Sequence, residues 1–332
     1  MKIVKRYNYC IFGGGGFYEY AYADLKQYEN VRYYQDPSEA INSRWGDFLC
    51  RLTFSPKLNK FVKYPFKKTT FRYLANVSFK DTNTPIVFVL FRSYFRWVNS
   101  GFVEYLKQRY PSCKTVLYYQ DLVKVNGYIN LEYAKKHIDL ILSYDQGDCE
   151  KYGFVYHPTP YSLVNIKDSD KYPVSDVFFC GKAKSRFGKV KSIYQKLQEQ
   201  GLKCCFVVTG VTEEEREELP GMIYSEGISY LDNIRFEQNT KCILEIMQDD
   251  ASGFTPRVWE SIAYDKHLLT NNASLEYSEF FNSNYMHQLA EIGDVLSWIN
   301  EPVSYGIEEK KQMSPTHFLE KIAANLDGHK QE

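Results

Sequence analysis

Apolar runs of strand length alternate along the chain with segments of helical period. In the first half, such runs cover 7–12, 85–91, 114–119 and 138–145, and each is followed by a segment whose apolar residues recur every three or four positions. Strands that alternate with helices in this way are typical of βαβ units, in which parallel strands form a sheet covered by helices. The pattern therefore predicts an α/β fold for this half.

The alternation stops at 157–173, a stretch with three prolines and no periodicity, and restarts at 175. A linker in this position predicts two Rossmann-like domains that face each other across a cleft, an N-terminal one over 1–165 and a C-terminal one over 170–312. In the second domain we also expect a helix in the charged run 213–219. A serine followed by a proline predicts a last helix within the terminal segment 313–332.

Composition limits the class of protein. The chain has 332 residues, 44% of them hydrophobic and 25% charged, which is typical of a globular protein with two domains. Its longest apolar run, 85–91, is too short to cross a bilayer, and the N-terminus reaches a run of glycines too early for a signal peptide. Eight cysteines without a CxxC pair indicate buried thiols in a reducing compartment. We expect a cytoplasmic protein.

The formal net charge is zero, but the charges are unevenly distributed. Residues 1–168 hold 24 Lys and Arg against 15 Asp and Glu, a net of +9, and the remainder carries −9. The segment 44–72 alone has eight basic residues and a single acid, Asp47. This segment is either a solvated surface or a site for an anionic partner such as a phospholipid surface, which would bring the protein to the inner face of the membrane. No nucleic-acid motif accompanies the charge, so we expect no nucleic acid partner.

The most informative stretch begins where the strand 241–247 ends. Ligands of open parallel sheets bind beyond the carboxyl ends of the strands, which is where the following loop lies. That loop ends in small and polar residues, and Pro256 suits the first position of a helix. A helix start offers free N–H groups and the positive end of a dipole, so it predicts an anion site. The residues of this candidate site are Ser252, Gly253, Phe254 and Thr255.

Two side chains of the same helix extend the prediction. The guanidinium of Arg257 suits a phosphate, and Glu260 lies one turn further along, where a carboxylate can accept hydrogen bonds from ribose hydroxyls. The alternative is a capped helix in which Arg257 and Glu260 form an i, i+3 salt bridge. A second basic loop follows the strand 175–181 and either reaches the same anion or is a solvated turn. Its cations are Lys182, Lys184 and Arg186.

The segments 137–162, 176–210 and 227–272 together resemble the GT-B glycosyltransferases of bacterial capsule and lipopolysaccharide clusters. The resemblance covers most of 115–300. It implies two facing Rossmann-like domains, with a nucleotide-sugar bound in the C-terminal one as a substrate. It further implies that Ser252, Gly253 and Thr255 contact the diphosphate, Glu260 the ribose and Arg186 a phosphate. The turn that contains Ile228 and Ser229 would contact the base. Glu245, Asp249 and Asp250 do not reproduce the usual pair of glutamates eight positions apart, so the resemblance assigns no sugar ligand.

The N-terminal half offers acceptor-side and catalytic candidates. A run of four glycines follows the first strand, and we expect Gly14 and Gly15 to let a phosphate or acceptor approach the backbone. Because a dinucleotide fingerprint would need a glycine where Tyr18 stands, a dehydrogenase is the weaker interpretation. Arg92 also follows a strand and suits an anionic acceptor. Candidates for the base that deprotonates the acceptor are Asp121, Asp145 and Asp36, each of which could instead be a helix N-cap.

The leading hypothesis is a cytoplasmic, metal-independent glycosyltransferase that transfers a sugar from a nucleotide-sugar to a glycan acceptor, expected in lipid-linked form, during surface polysaccharide synthesis. The six histidines form no metal-binding pattern, and we expect neither a metal nor a cofactor. Two alternatives remain open. One is a polyol-phosphate transferase with a CDP-activated donor, and the other is a non-catalytic GT-B-like scaffold.

Overall fold

The computed structural model describes residues 5–41, 43–91, 98–126, 130–164, 166–183, 186–247 and 253–328. The chain divides into two units. Unit 1 comprises Met1–Ser162 and Ser314–Glu332, and unit 2 comprises Leu163–Met313. The division after Ser162 falls inside the segment 157–173, where the sequence analysis places the linker. The terminal segment 313–332, which the sequence analysis set apart from both domains, belongs almost entirely to unit 1.

The described residues of unit 1 form a six-stranded sheet in which every pairing is parallel. The strands are β1 (Asn8–Phe12), β2 (Val31–Tyr34), β3 (Ile86–Phe91), β4 (Lys114–Tyr119), β5 (Leu140–Ser143) and β6 (Val155–Tyr156). Their order is β2-β1-β3-β4-β5-β6. The order reverses between β1 and β3, and the chain segments that leave these two strands therefore flank the usual ligand position of such a sheet.

Helices cover both faces of this sheet. Those described in unit 1 are α1 (Phe17–Ala21), α2 (Arg44–Thr53), α3 (Lys67–Leu74), α4 (Phe102–Arg109), α5 (Leu131–His137), α6 (Gln146–Tyr152) and α12 (Pro315–Gly328). On one face, Phe71 of α3 and Phe102 of α4 belong to the core that packs on the strands. On the other, Phe318 of α12 packs against Tyr118 and His157, with ring centroids 5.0 and 4.9 Å apart. The terminal helix therefore completes the unit.

The described residues of unit 2 also form a six-stranded parallel sheet. Its strands are β7 (Ser175–Lys182), β8 (Cys204–Thr209), β9 (Met222–Ser225), β10 (Thr240–Glu245), β11 (His267–Thr270) and β12 (Met286–Gln288). The described helices are α7 (Phe187–Glu199), α8 (Tyr230–Gln238), α9 (Pro256–Tyr264), α10 (Val295–Trp298) and α11 (Ile307–Gln312). The strand order, β12-β11-β10-β7-β8-β9, is that of a Rossmann fold, and it reverses between β7 and β10.

Two local predictions were wrong. The charged run 213–219 forms only a 3-10 turn, Glu213–Glu215, because it has no apolar face to bury and Pro220 follows at once. The α-helix expected after the glycine run is also shorter than the periodicity of the sequence predicts. It ends at Ala21 and continues as a 3-10 turn over Ala23–Gln27.

A search of the described residues finds no helix long and apolar enough to cross a membrane.

Candidate functional site

The point where the strand order of unit 2 reverses brings together the ends of β7 and β10. The two strands are direct neighbours in the sheet, with Val177 paired to Cys242. The segment after β7 leads into α7, and the segment after β10 leads into α9. Both basic loops of the sequence analysis therefore leave the sheet at the same edge, in adjacent strands.

Arg186 links these two segments. It precedes α7, and its Nη1 donates a hydrogen bond to the carbonyl of Ile246, just beyond β10. Its Nε donates to the carbonyl of Lys182 at 3.2 Å. The guanidinium therefore lies at the strand ends themselves, where the prediction requires a phosphate ligand. Lys182 is exposed at the end of β7, and Lys184 lies outside the described residues.

The start of α9 is fixed by threonine side chains. Thr255 is the N-cap, and its hydroxyl oxygen accepts a hydrogen bond from the backbone N–H of Arg257 at 3.2 Å. The same hydroxyl donates to the carboxyl group of Glu245, and Thr270 donates to the second oxygen of that group. Burial raises the pKa of Glu245, although the hydrogen bonds from both threonines oppose the shift. These contacts tie the helix start to β10 and β11.

The remaining residues of the α9 loop are placed in part. Gly253 precedes α9, and its carbonyl accepts a hydrogen bond from Asn272 Nδ2 at 3.3 Å. Phe254 packs edge-on against Trp259 and Phe280, with centroids 6.0 and 6.5 Å apart. Ser252 lies outside the described residues. The diphosphate role expected for these residues stays a prediction, and the packing of Phe254 indicates that it anchors the loop.

A buried ionic group, which we call the Arg257 cluster, lies one turn into α9. It consists of Arg257, Glu260, Glu237 and Tyr230. Arg257 Nη1 contacts Glu260 Oε2 and lies 3.2 Å from Glu237 Oε1, while its Nη2 donates to the carbonyl of Cys180 at 3.2 Å. Tyr230 donates its hydroxyl proton to Glu260 Oε1 at 2.5 Å. Both glutamates are fully buried.

The charges of this cluster are unequal in number, with two carboxyl groups around one guanidinium. Burial and the neighbouring Glu260 raise the pKa of Glu237 well above its usual value. Burial disfavours the charge on Arg257, but Glu260 and Glu237 outweigh it and raise its pKa. The raised pKa favours the protonated form of Glu237, and in that form its carboxyl group can donate a hydrogen bond to the Glu260 carboxylate. The cluster then holds one ion pair and one neutral acid, which avoids an uncompensated buried charge.

The i, i+3 salt bridge left open as an alternative is present, since Arg257 and Glu260 contact each other. The predicted roles of Arg257 on a phosphate and of Glu260 on a ribose stay predictions. Both carboxylate oxygens of Glu260 already accept hydrogen bonds, so a ribose that binds there must replace one of these donors or share an oxygen with it.

The turn before α8 holds the residues expected near a base. Ser229 is the exposed N-cap of α8; its hydroxyl accepts from the N–H of Asp232 at 3.1 Å and donates to the side chain of Asp232 at 2.7 Å. Ile228 packs against a small core cluster that includes Phe178 and Val207. This turn leads directly to Tyr230, so it adjoins the Arg257 cluster. The base contact itself stays a prediction.

In unit 1, the glycine run follows β1 at the point where that sheet reverses its order. Tyr33 holds the loop, because its hydroxyl accepts from the N–H of Gly14 at 3.1 Å and donates to the Gly14 carbonyl at 2.9 Å. A Cβ atom on Gly13 would lie 2.3 Å from the Tyr33 ring, so a side chain at this position would displace that ring. Gly15 belongs to the same loop and lies next to Gln35, the residue that follows β2. Arg92, the other acceptor-side candidate, lies outside the described residues.

The candidate bases differ in their surroundings. Asp145 is the N-cap of α6, where its carboxylate accepts from the N–H of Asp148 at 2.8 Å, and it is buried. This is the capping role considered as its alternative. Asp121 is exposed directly beyond β4, and Asp36 is exposed beyond β2. An exposed carboxylate at a strand end is better placed to receive a proton from a ligand than a buried cap. The catalytic role of each stays a prediction.

Glu237 and Asn272 are the site residues that sequence reasoning missed. On α8 the polar residues Tyr230, Asn233 and Glu237 recur with helical spacing, and Asn233 Nδ2 donates to Glu237 at 2.6 Å. Polar side chains that share one helical face with the buried Ile234 were a usable signal for an internal polar cluster. Asn272 carried no such signal, because its contact with Gly253 depends on the pairing of β10 with β11.

No group of three or more His, Cys, Asp or Glu side chains in the described part of the chain is close enough to hold a metal ion. Asp249 and Asp250 fall outside that part. Catalysis without a metal stays a prediction.

Two similar folds appear among solved structures. One is an α-glucosyltransferase in complex with UDP-glucose and DNA containing an abasic site, at 10% identity and a TM-score of 0.56, covering 96% of this chain and 98% of that one. The other is HepE of Anabaena in complex with UDP and glucose, at 9% identity and a TM-score of 0.57, covering 96% of this chain and 99% of that one.

The fold is that of the GT-B glycosyltransferases. Both GT-B neighbours match over nearly their whole lengths, so the likeness extends to both units. No protein-family model matches the sequence, and neither does any curated protein.

Proposed function

We propose that the chain is a glycosyltransferase that moves a sugar from a nucleotide-sugar to a glycan acceptor, without a bound metal. The observation that carries this proposal is the convergence of Arg186 and the capped start of α9 at the reversal point of the unit 2 sheet. Lipid-linked acceptors and surface polysaccharide synthesis are the finer part of the proposal, and they rest on the sequence resemblance. The GT-B fold supports the general activity.

The diphosphate of the donor would bind at the start of α9. The free N–H groups there favour an anion, and the helix dipole adds to the attraction. Arg186 lies at the adjacent strand end and supplies a cation. During sugar transfer, negative charge develops on the departing diphosphate, and donors fixed in place before the reaction stabilise that charge without reorganisation. The contacts of Arg186 with backbone carbonyls and those of Thr255 with Glu245 and the backbone hold both segments in this fixed geometry.

The ribose would bind at Glu260. In the structure, Glu260 Oε1 accepts a hydrogen bond from the Tyr230 hydroxyl at 2.5 Å, and Tyr230 is only partly buried. A ribose hydroxyl is the same kind of donor, so it can take the place of the Tyr230 hydroxyl on that oxygen. Arg257 keeps the second oxygen of Glu260 engaged and so holds the carboxylate in position. Nucleotide binding would then turn the Tyr230 ring away from α9.

The test is a titration with UDP, 2′-deoxy-UDP and pyrophosphate, together with the diphosphates of the other bases. We expect a nucleoside diphosphate to bind more tightly than pyrophosphate, and removal of one ribose hydroxyl to weaken binding by roughly 1–3 kcal/mol. Changing the ligand leaves the buried Arg257 cluster intact, which substitution of Glu260 would not. If deoxy and ribo forms bind alike, the ribose assignment fails. Transfer or hydrolysis of the bound donor sugar by the purified protein then tests the activity itself.

One observation favours a non-catalytic GT-B-like scaffold as the second candidate. Glu260 is fully buried and already paired on both oxygens, an arrangement that a purely structural cluster would also have. Absence of binding for every nucleoside diphosphate would favour the scaffold.

A further inference from the structure

The segment Arg44–Leu74 of unit 1 consists of α2, α3 and the loop 54–66 between them. We call its outer side the basic-aromatic surface. All eight basic side chains of the segment are exposed. They are Arg44, Arg51, Lys57, Lys60, Lys63, Lys67, Lys68 and Arg72. Arg51 forms an ion pair with Asp47 at 3.0 Å, and the structure pairs the other seven with no acid in the described ranges. The surface therefore carries a strong positive field.

The same segment exposes large apolar side chains. Among the described residues, twelve large hydrophobic side chains are exposed, and six of them lie between Trp45 and Phe66. Phe61 is 88% exposed, Trp45 62% and Phe66 58%. The other three are Phe48, Leu58 and Val62. Single exposed hydrophobic residues are normal, but a group of this density within one short segment marks a site of interaction.

The loop that presents these residues is tightly held by hydrogen bonds. Asn59 Nδ2 donates to the carbonyls of Thr53 and Ser55, both at 2.8 Å, and Asn59 Oδ1 accepts from the N–H of Tyr64 at 2.6 Å. The Thr53 hydroxyl also contacts Pro65 O and the hydroxyl of Thr70. The outward position of Phe61 and its neighbours is therefore a built feature of the fold.

Backbone strain points in the same direction. Tyr64 and Phe66 have φ values of 50° and 60°, in the left-handed region that bulky residues rarely adopt. Such strain persists only where the surrounding structure enforces it, and it is frequent at functional sites. Here it turns Phe66 towards solvent directly before α3, whose first residues are Lys67 and Lys68.

We propose that the basic-aromatic surface binds a bilayer that contains anionic phospholipids. Cations that surround exposed aromatic and aliphatic side chains fit the boundary between headgroups and acyl chains, because the charges stay with the phosphates while the apolar groups leave water. Leu58 and Val62 favour lipid over nucleic acid, since aliphatic side chains gain nothing from a phosphate backbone. That this contact brings the enzyme to a lipid-linked acceptor rests on the proposed function, whereas lipid binding itself needs neither donor nor acceptor.

The test is sedimentation of the purified full chain with vesicles of phosphatidylglycerol and phosphatidylcholine, and with vesicles of phosphatidylcholine alone. We expect binding to the anionic vesicles only, weakened by salt. Each cation near such a surface strengthens binding about fivefold, so the triple variant K63E/K67E/K68E should bind at least about a hundredfold more weakly. The variant F61S/F66S should bind about a hundredfold more weakly, because its apolar groups no longer enter the interface.

Matched controls separate this surface from charge and exposure in general. The variant K124E/K135E/K136E makes the same change in charge at exposed lysines elsewhere in unit 1, and Tyr277→Ser removes an aromatic side chain that is 89% exposed in unit 2. Both should bind anionic vesicles like wild type. Equal binding to both lipids, full binding by K63E/K67E/K68E, or an equal loss in the lysine control would overturn the proposal. The proposal would also be overturned if the wild-type protein bound duplex DNA but not the vesicles, and if K63E/K67E/K68E lost that DNA binding.

Since no nucleotide is present in this assay, its outcome is independent of donor binding. Failure of the transferase proposal and failure of the lipid proposal can therefore be told apart.

Discussion

The cations of the Arg257 cluster and of the basic-aromatic surface have the same charge and opposite surroundings. Arg257 is largely buried between two glutamates in unit 2, whose residues 163–313 hold 16 Lys and Arg against 24 Asp and Glu, a net of −8. The lysines of the surface are exposed in the unit with the basic excess, and only Arg51 of the eight cations has an acidic partner in the described residues. A paired, buried cation fixes geometry, whereas exposed cations without acids remain available to a ligand. Charge counts along the sequence do not distinguish the two.

The largest effect should follow from removing the buried cation. Arg257→Met leaves Glu260 without its counter-ion, and breaking a buried pair in this way costs about 3–5 kcal/mol of unfolding free energy. Urea denaturation measures the change. The double variant R257M/E260Q should regain a large part of the loss, because no charge is then left unpaired. A loss below about 1 kcal/mol for R257M would show that the pair is effectively solvated and the comparison does not hold.

The next effect concerns pH. Burial and Glu260 raise the pKa of Glu237, so the folded protein holds a proton there that the unfolded chain releases. The resulting stability is fully present below the ordinary glutamate pKa and is lost as pH rises from there through the folded pKa, at up to about 1.4 kcal/mol per pH unit. Compared with wild type, Glu237→Gln should lack this decline. Parallel stability curves for the two proteins between acidic and neutral pH would mean that Glu237 is ionised in the folded state.

A smaller effect is expected at the edge of the cluster. Tyr230→Phe removes one hydrogen bond to Glu260 and leaves its ion pair with Arg257, so stability should fall by about 0.5–1.5 kcal/mol. If the ribose replaces the Tyr230 hydroxyl, this variant should bind a nucleoside diphosphate at least as tightly as wild type while pyrophosphate binding stays unchanged. Calorimetry of both ligands provides the measurement. Weaker nucleotide binding would instead make Tyr230 a direct ligand.

The smallest effect on stability should come from the exposed surface. K63E/K67E/K68E changes six units of charge, yet none of these lysines has an acidic partner among the described residues, so we expect a change within about 0.5 kcal/mol for each site. The midpoint of urea denaturation is the measurement. A gain in stability is also compatible with relief of repulsion among the eight cations. A loss as large as that of R257M would show that these lysines support the fold.

Most of the fold could be predicted because its strands carry long buried runs. The runs that become β3, β4 and β8 are largely apolar and all but one residue of each strand is buried, which is typical of parallel strands covered on both faces. The helix start at Thr255 and Pro256 could be predicted equally well, because helix capping depends on residues that are neighbours in sequence. The helix predicted over the charged run 213–219 was wrong because a run of charged residues is also typical of an exposed helix. The absence of an apolar face is the feature of the sequence that argues against a helix there.

The interior of the candidate site was harder to predict. The neighbours of Arg257 come from three separate elements, and the contact with Glu237 depends on how α8 and α9 pack, a long-range property that spacing does not report. The basic-aromatic surface shows a similar limit. Phe54 and Tyr64 are partly buried, with ring centroids 6.2 Å apart, whereas Trp45 and Phe48 are exposed, and the composition of the segment does not separate the two pairs.

The position of α12 has a consequence for biosynthesis. Unit 2 is continuous in sequence, but one face of the unit 1 sheet remains uncovered until α12 (Pro315–Gly328) has been synthesised. In the folded chain, Tyr9 donates a hydrogen bond to the carbonyl of Leu319 in that helix, and Phe318 packs against Tyr118. During translation, domains generally fold from the N-terminus onwards. In this chain, unit 2 can complete its folding before unit 1, because unit 1 still lacks α12 and has an apolar face exposed on the ribosome. A stalled or shortened nascent chain should therefore meet chaperones through unit 1.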